Sequence, residues 1–406
     1  MTTLPTALAS LARRLHALPG DDHRVASALG VWLLLALVAR AAGDRPLPDL
    51  DGALGMPRAE AVALSGRLMA RQHPAVADAY AAWARADLLD GPLGDFLRSL
   101  PAPVERGAMP SQAEADAWAA RSTGGLIQRY PVALHPSTWI TLATALATQV
   151  DWRTPFDLAP SESLGAGPFS AAVTQVLTAT PGAGHTAWIA DTAVGHVAVH
   201  VAASEHLEVW SVSAAPEVEA SAVLDAAHAL VAAPRPVGLD ALPLGAGHSW
   251  DLTEQAGIGE DAVARVFLPA WEARTSTDLS GEAAFGDVGR LLASLLGERD
   301  FVVDAAQSAM ARYHQHGFEA AAVTAVAVRA MAALRRRPVR RATLRFGHPY
   351  AVMALTSSRG VASAGESPID PWVGLPVFSA WVATPQEPER RVGDQARERR
   401  QPRISR

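Results

Sequence analysis

Three groups of residues carry chemistry by type and spacing. The first is GAGHSWD, Gly245–Asp251, which sets His248, Ser249 and Asp251 almost side by side. Hydroxyl, imidazole and carboxylate are the parts of an acyl-transfer centre, but such a centre needs them to converge from separate elements. Adjacent in a glycine-rich stretch, they read as a turn. The second group is His196, His200 and His206. Three imidazoles suffice for zinc, yet strand residues four apart stand roughly 13 Å from each other, too far to share an ion. They are expected to be sheet-surface histidines, with no metal. The third is the arginine run Arg335–Arg341, RRRPVRR. It has the charge for phosphate but no interleaved aromatic rings for base stacking, so no nucleic-acid partner is expected.

What is missing narrows the chemistry further. The chain of 406 residues has no cysteine, which excludes disulfides, thiolate metal ligands and cysteine nucleophiles. All 35 basic residues are arginine, so no lysine is present for a Schiff base or a Walker loop. No HExxH, GxSxG, Walker or strand-framed GxGxxG motif occurs, and neither an enzyme nor a cofactor is indicated. With 49% hydrophobic and 19% charged residues the composition is that of a packed globular chain, not a disordered one. The net charge of −6 is uneven, because residues 329–406 carry 15 arginines against 6 acids. That basic end reads as a solvated loop and tail.

These residues must be positioned by an α+β fold. Leu4, Leu8, Leu11, Leu15 and Leu18 recur at helical spacing. Val25–Ala39 (VASALGVWLLLALVA) is too short to span a bilayer and reads as a helix buried all round rather than as the apolar core of a signal peptide. The alanine-rich chain to about Tyr130 predicts mostly helix. From Thr138 the pattern changes, and Thr138–Val150, Thr186–Ala190, His196–Ala202 and Leu207–Val212 alternate like strands. A helix is expected over Val218–Ala232, and strands over Thr343–Leu355 and Val373–Val382. Residues 1–385 form one domain in this reading, and 386–406 an arginine-rich disordered tail.

Three segments together resemble the serpin family. Trp118–Phe156 matches at Trp118, Thr123, Gly125, Ile127, Trp152 and Phe156 the helix, turn and central strand of that fold. Tyr313–Thr324, YHQHGFEAAAVT, is similar to the proximal hinge of the serpin reactive loop. RFGHPYAVMAL and LPVFSAWVATP, within Arg345–Pro385, resemble its paired C-terminal strands. The resemblance implies a serpin-like α+β fold with three β-sheets, about eight helices and an exposed reactive-centre loop. It also implies a function: inhibition of a serine-type protease as a suicide substrate, by a monomer without membrane attachment. In that mechanism the cleaved loop enters the main sheet as a new strand. The resemblance implies the extracellular space, whereas the sequence, with no clear signal peptide, points to the cytoplasm.

The hinge assigned by resemblance is Gly317, Phe318, Glu319, Ala320, Ala321, Ala322 and Thr324. Physics supports the choice, since only an alternating ribbon of small side chains slides between strands already in place. Phe318, Ala320, Ala322, Thr324, Val326 and Val328 form an uncharged face, and the charges Glu319 and Arg329 fall on the other. The same alanine-rich stretch also suits a surface helix, as in a non-inhibitory serpin-fold binding protein. Phe318 stands where the inhibitory pattern has a small Thr or Ser. The family's gate beneath the opening strands aligns with Ser27, Gly30, Thr144 and Gln307, near Trp152, and a Thr144–Gln307 hydrogen bond is expected to replace an Asn–His one. Counting about fourteen residues on from Gly317 puts the scissile bond at Met331–Ala332; counting back from Pro349 puts it near Pro338, leaving Arg335 and Arg336 as alternatives. Met331 implies a chymotrypsin-like or elastase-like partner, and an arginine a trypsin-like or basic-site subtilisin-like one.

Overall fold

The computed structural model describes residues 3–20, 22–148, 150–182, 184–257, 259–297, 304–318, 337–357 and 370–388. In chain order the first elements are α1 (Leu4–Ala17), β1 (Arg24–Ala26), α2 (Ala28–Ala39), α3 (Pro48–Leu54), α4 (Arg58–Ala70), β2 (Ala77–Ala84), α5 (Pro92–Ser99), β3 (Val104–Ala108) and α6 (Gln112–Ser122). Then come β4 (Ile140–Ala147), β5 (Val150–Asp151), β6 (Asp157–Pro160), α7 (Pro168–Ala172), β7 (Gln175–Ala179), β8 (His185–Thr192), β9 (Gly195–Ala203), β10 (Leu207–Ser213) and α8 (Ala220–Ala232). The last are β11 (Gly245–Ala246), β12 (Trp250–Gly257), β13 (Ala262–Leu268), β14 (Trp271–Asp278), α9 (Ala283–Leu296), β15 (Ala306–Tyr313), β16 (Gly317–Phe318), β17 (Arg337–Arg345), β18 (Tyr350–Thr356) and β19 (Pro376–Val382).

The apolar runs become strands buried on both faces. One six-stranded sheet has the order β1-β19-β18-β10-β9-β8. Val197, Val199, Val212 and Met353 on one of its faces pack against Leu224 and Leu230 of α8, while Ala198, Ala202, Val209 and Val352 face the main core. Covering both faces removes the polar half of the usual alternation, which is why β18 is uniformly apolar in its centre. A second six-stranded sheet runs β11-β12-β17-β13-β7-β6. The third sheet is in two pieces, β3-β2-β4 and β14-β15, with the short pair β5-β16 beside them.

The helix α2 sits at the centre of the core. All its residues but Leu34 are buried, and each fully buried leucine there contributes on the order of 1.5–3 kcal/mol. Its Trp32 Nε1 donates to Leu54 O at 3.0 Å. The leucine face of α1 (Leu4, Leu8, Leu11, Leu15) is buried as its spacing predicts. Among the described residues no helix is long and apolar enough to cross a membrane.

Several sequence expectations are corrected. The first third is not all helix: Ala77–Ala84 and Val104–Ala108 are strands. In β2 the alanines lie between β3 and β4, where burial overrides their helix preference. Thr343–Leu355 is not one strand but the end of β17 and the start of β18, broken at Phe346–Pro349. Nine α-helices occur among the described residues against about eight expected. Contacts continue past the expected boundary at Pro385, with Gln386 N donating to Ala270 O at 2.8 Å.

Candidate functional site

The main sheet is divided between β4 and β15. Among the described residues each pairs on one edge only, β4 with β2 and β15 with β14, and no hydrogen-bonded register joins the two. In β4, Thr141, Ala143 and Ala145 turn outward under α6, while Ile140, Leu142 and Leu146 turn inward toward the α2 core. The space between the half-sheets holds a cavity of about 340 Å³, floored by Leu34 and Val38 of α2 and by Phe285, Val288 and Leu292 of α9. Leu34, Ile140 and Leu142 are only partly buried because nothing among the described residues fills the slot above them.

Gln307 and Thr144, expected to form a gate, hold the two edges separately. Gln307, on β15, takes both backbone groups of Ser27: its Oε1 accepts from Ser27 N at 3.0 Å and its Nε2 donates to Ser27 O at 2.9 Å. Thr144, on β4, donates its hydroxyl to Gly30 O at 2.8 Å. Ser27 caps α2, its Oγ accepting from Gly30 N at 3.1 Å and donating to Val377 O at 2.8 Å. The expected Thr144–Gln307 bond is therefore not formed. Both side chains bind the N-terminus of α2 instead: Gln307 satisfies the free N–H of Ser27, and both donate to carbonyls of the first turn, of which Ser27 O also accepts from Val31 N at 3.3 Å. Gly30 permits this close approach, since a Cβ there would stand 3.2 Å from Leu146 Cδ1 and 3.4 Å from Thr144 Oγ1.

Trp152 does not belong with these residues. It is held at the far end of β15, about 20 Å along the strand from Gln307 at 3.3 Å per residue. There its Nε1 donates to His314 O at 2.9 Å and its backbone N to His316 O at 3.1 Å, while Phe156 N donates to Gln315 O at 2.9 Å. The segment 152–156 thus clasps a reversal of the chain at 314–316. After it, Gly317 and Phe318 run antiparallel to β5 in the register Gly317↔Asp151, Phe318↔Val150. Only glycine fits at 317, where a Cβ would lie 2.3 Å from Val150 O. Glu319, Ala320, Ala321, Ala322 and Thr324, and with them Met331, Ala332, Arg335 and Arg336, lie outside the described residues.

The histidines do not form a metal site, and no cluster of three or more metal-ligating side chains occurs among the described residues. The surface reading fails for His200, which is fully buried, whereas His196 is exposed. His200 Nε2 lies 3.2 Å from Nδ1 of His185, whose Nε2 reaches Thr154 O at 2.8 Å within the hinge clasp. Burial pushes both imidazoles below their ordinary range, His200 furthest. The sequence reading missed His185; its only signal was a polar residue opening an apolar alternating strand. GAGHSWD does form a hairpin turn, with Gly247 N donating to Trp250 O at 2.8 Å. Ser249 meets His248, Ser213 and His348, not Asp251. Of the arginine run, Arg340 is tied inward, to Glu254 and to the carbonyls of Leu239, Asp240 and Leu242.

No protein-family model matches the sequence, and no curated protein is similar to it. Solved structures are. A thermophilic serpin, tengpin, in the native state superposes with a TM-score of 0.62 at 13% identity, over 94% of this chain and 93% of that one. Thyroxine-binding globulin in complex with thyroxine gives 0.60 at 15%, over 94% and 99%. AtSerpin1 of Arabidopsis in its native stressed conformation gives 0.60 at 14%, over 95% and 99%. A likeness that extends over nearly the whole of each chain gives this protein the serpin fold.

Proposed function

We propose that this protein inhibits a serine-type endopeptidase as a suicide substrate. In this reading the protease's serine oxygen attacks the carbonyl of Met331, an ester forms as the peptide bond to Ala332 breaks, and the amine of Ala332 leaves with a proton from the protease. The freed ribbon then enters the slot between β4 and β15, carrying the acylated protease with it.

The observation that carries the proposal is the hinge at the mouth of the slot. Beyond the reversal at 314–316 the chain runs antiparallel to β5, the direction a strand laid along β4 must take. Continuing the register Phe318↔Val150 sets Ala320 opposite Thr148, Ala322 opposite Leu146, Thr324 opposite Thr144, Val326 opposite Leu142 and Val328 opposite Ile140. Residues directly opposite in an antiparallel pair share a face. The uncharged face of the ribbon therefore meets the inward face of β4, and Glu319 and Arg329 meet water. Met331 is favoured as the cleaved residue because β17 is already paired from Arg337, with Gly257 opposite it. A bond after Arg336 would give a protease no free strand on its leaving side.

Incubation with a panel of chymotrypsin-like, elastase-like and trypsin-like proteases tests the proposal. An SDS-stable complex releasing a fragment that begins at Ala332 is expected; cleavage without any complex overturns it. The second reading, a binding protein whose loop does not insert, is favoured by the bulk of Phe318 at the entry position, since forcing a ring into a packed site costs roughly 1–3 kcal/mol. It predicts no rise in Tm after nicking of the loop, whereas insertion predicts a large one.

A further inference from the structure

Ser249 lies in the turn that the proposed function leaves unused, and its surroundings permit a proton count. Three polar groups converge on its Oγ: Ser213 Oγ at 2.8 Å from the end of β10, His248 Nδ1 at 3.0 Å, and His348 Nε2 at 3.1 Å from the corner between β17 and β18. Both rings are committed at their other nitrogen, His248 Nε2 to His196 O at 2.9 Å and His348 Nδ1 to Pro349 O at 3.1 Å. A carbonyl only accepts, so those two nitrogens carry the hydrogens. In neutral rings the nitrogens that face Ser249 are then both bare acceptors. Ser249 has a single hydrogen to give, and the hydroxyl of Ser213 reaches neither ring. One ring lone pair is left against an oxygen lone pair, in a place where Ser213, Ser249 and His348 are 0%, 1% and 8% exposed. A polar group stranded in this way is costly.

One additional proton closes the network. With His348 charged, its Nε2 donates to Ser249, Ser249 donates to His248 Nδ1, and Ser213 donates to the second lone pair of Ser249. Every donor then has an acceptor. We propose that the Ser213–Ser249–His248–His348 cluster binds one proton, lodged on His348, as pH falls below the ordinary histidine range, and that this proton fastens the β17–β18 corner to β12 and β10. Burial is the largest influence and holds both rings below the ordinary histidine range, partly offset on both by exposed Glu217, ahead of α8. His348 is the seat because the carbonyls of both Pro349 and His248 favour its charged form, against that of His196 alone at His248. His196 on β9 and His348 itself oppose it at His248. Arg345, the nearest cation along β17, points away to Ser163 O and over the ring of Phe267.

The corner matters because β17 receives the chain as it returns from residues 319–336, and Arg345 N donates to Ser249 O at 2.9 Å. Protonation thus sets how firmly the downstream end of that segment is held, whether or not the protein inhibits a protease. The test uses the full chain with ¹⁵N-labelled histidine. Ring nitrogen shifts followed from pH 8 to pH 4.5 are expected to show His348 charging while His248 stays neutral. Ser249→Ala is expected to lower the His348 midpoint by about one pH unit, a tenfold loss of proton affinity. Ser213→Ala leaves it in place, because that hydroxyl serves Ser249 in both states. Amide exchange over 337–345, corrected for intrinsic rate, is expected to slow several-fold from pH 7 to pH 4.5 in the wild type and in Ser213→Ala. Should Ser249→Ala not fold, the wild-type spectra decide. Two neutral rings at pH 4.5, a charge on His248 with His348 neutral, or exchange in β17 indifferent to pH each overturns the proposal.

Discussion

A charge placed on one face of the ribbon or the other separates insertion from every alternative. The register carried on from Gly317↔Asp151 puts Ala322 opposite Leu146, whose side chain is buried toward α2, and puts Ala321 on the outward face. Ala322→Glu therefore drives a carboxylate into the core on insertion, and Ala321→Glu does not. Full burial raises a carboxylate's pKa by up to 3–5 units, so at neutral pH the buried group takes up a proton, and the penalty levels off at the cost of protonating a carboxyl of ordinary pKa about 4.3, roughly 4 kcal/mol. The inserted state should be disfavoured about 500-fold in Ala322→Glu. The assay is paired: yield of SDS-stable complex with the reacting protease, and Tm before and after nicking of the loop. Ala321→Glu should match the wild type in both, while Ala322→Glu should be cleaved as a simple substrate with an unshifted Tm. Equal behaviour of the two variants refutes insertion in this sheet, and blockage by Ala321→Glu alone refutes the register.

Gln307→Ala removes two hydrogen bonds to Ser27, a loss of about 2–3 kcal/mol, which for a chain of this length lowers Tm by about 3 °C by scanning calorimetry. Thr144→Val removes one, and because the two residues bind different atoms of α2 the double variant should be additive within about 0.5 kcal/mol; strong coupling would indicate a direct latch. Gly317→Ala should unpair the hinge from β5 and slow complex formation while hardly moving Tm, read by stopped-flow against the same protease. Asp287, fully buried in α9, accepts from Asp49 N at 2.8 Å and Leu50 N at 2.9 Å and so caps α3 from outside; Asp287→Ala should cost about 1–3 kcal/mol in urea melts. Burial holds His16 and His228 at about 4, so the unfolded chain takes up their protons first as pH drops. Their contribution is complete above pH 6.5 and fades toward pH 4, amounting to roughly 2 kcal/mol each between pH 8 and pH 5. A Tm that stays level over that interval would contradict the burial of both.

The core elements were legible because each is specified locally. The leucine spacing of α1, the uncharged run that becomes α2 and the alternation in β8, β9 and β10 fix which residues must leave water, whatever packs against them. The strands β2 and β3 were not legible, since alanine prefers helix in isolation and only the neighbouring strands make it extended. Likewise the sequence reading paired Gln307 and Thr144 with each other, when both reach for the end of α2.

Local pattern is enough to show a glycine at 317, where backbone must touch backbone, followed in the sequence by small alternating residues whose charges fall on one face. Periodicity along a single strand is enough to encode that. Long-range packing alone leaves β4 and β15 unjoined among the described residues, turns the chain at 314–316 to run along β5, and brings the imidazole of His348 to Ser249 from 99 residues away. Those arrangements depend on contacts between residues up to about a hundred positions or more apart, and such contacts follow from how whole sheets and helices pack, which no local pattern of side chains records.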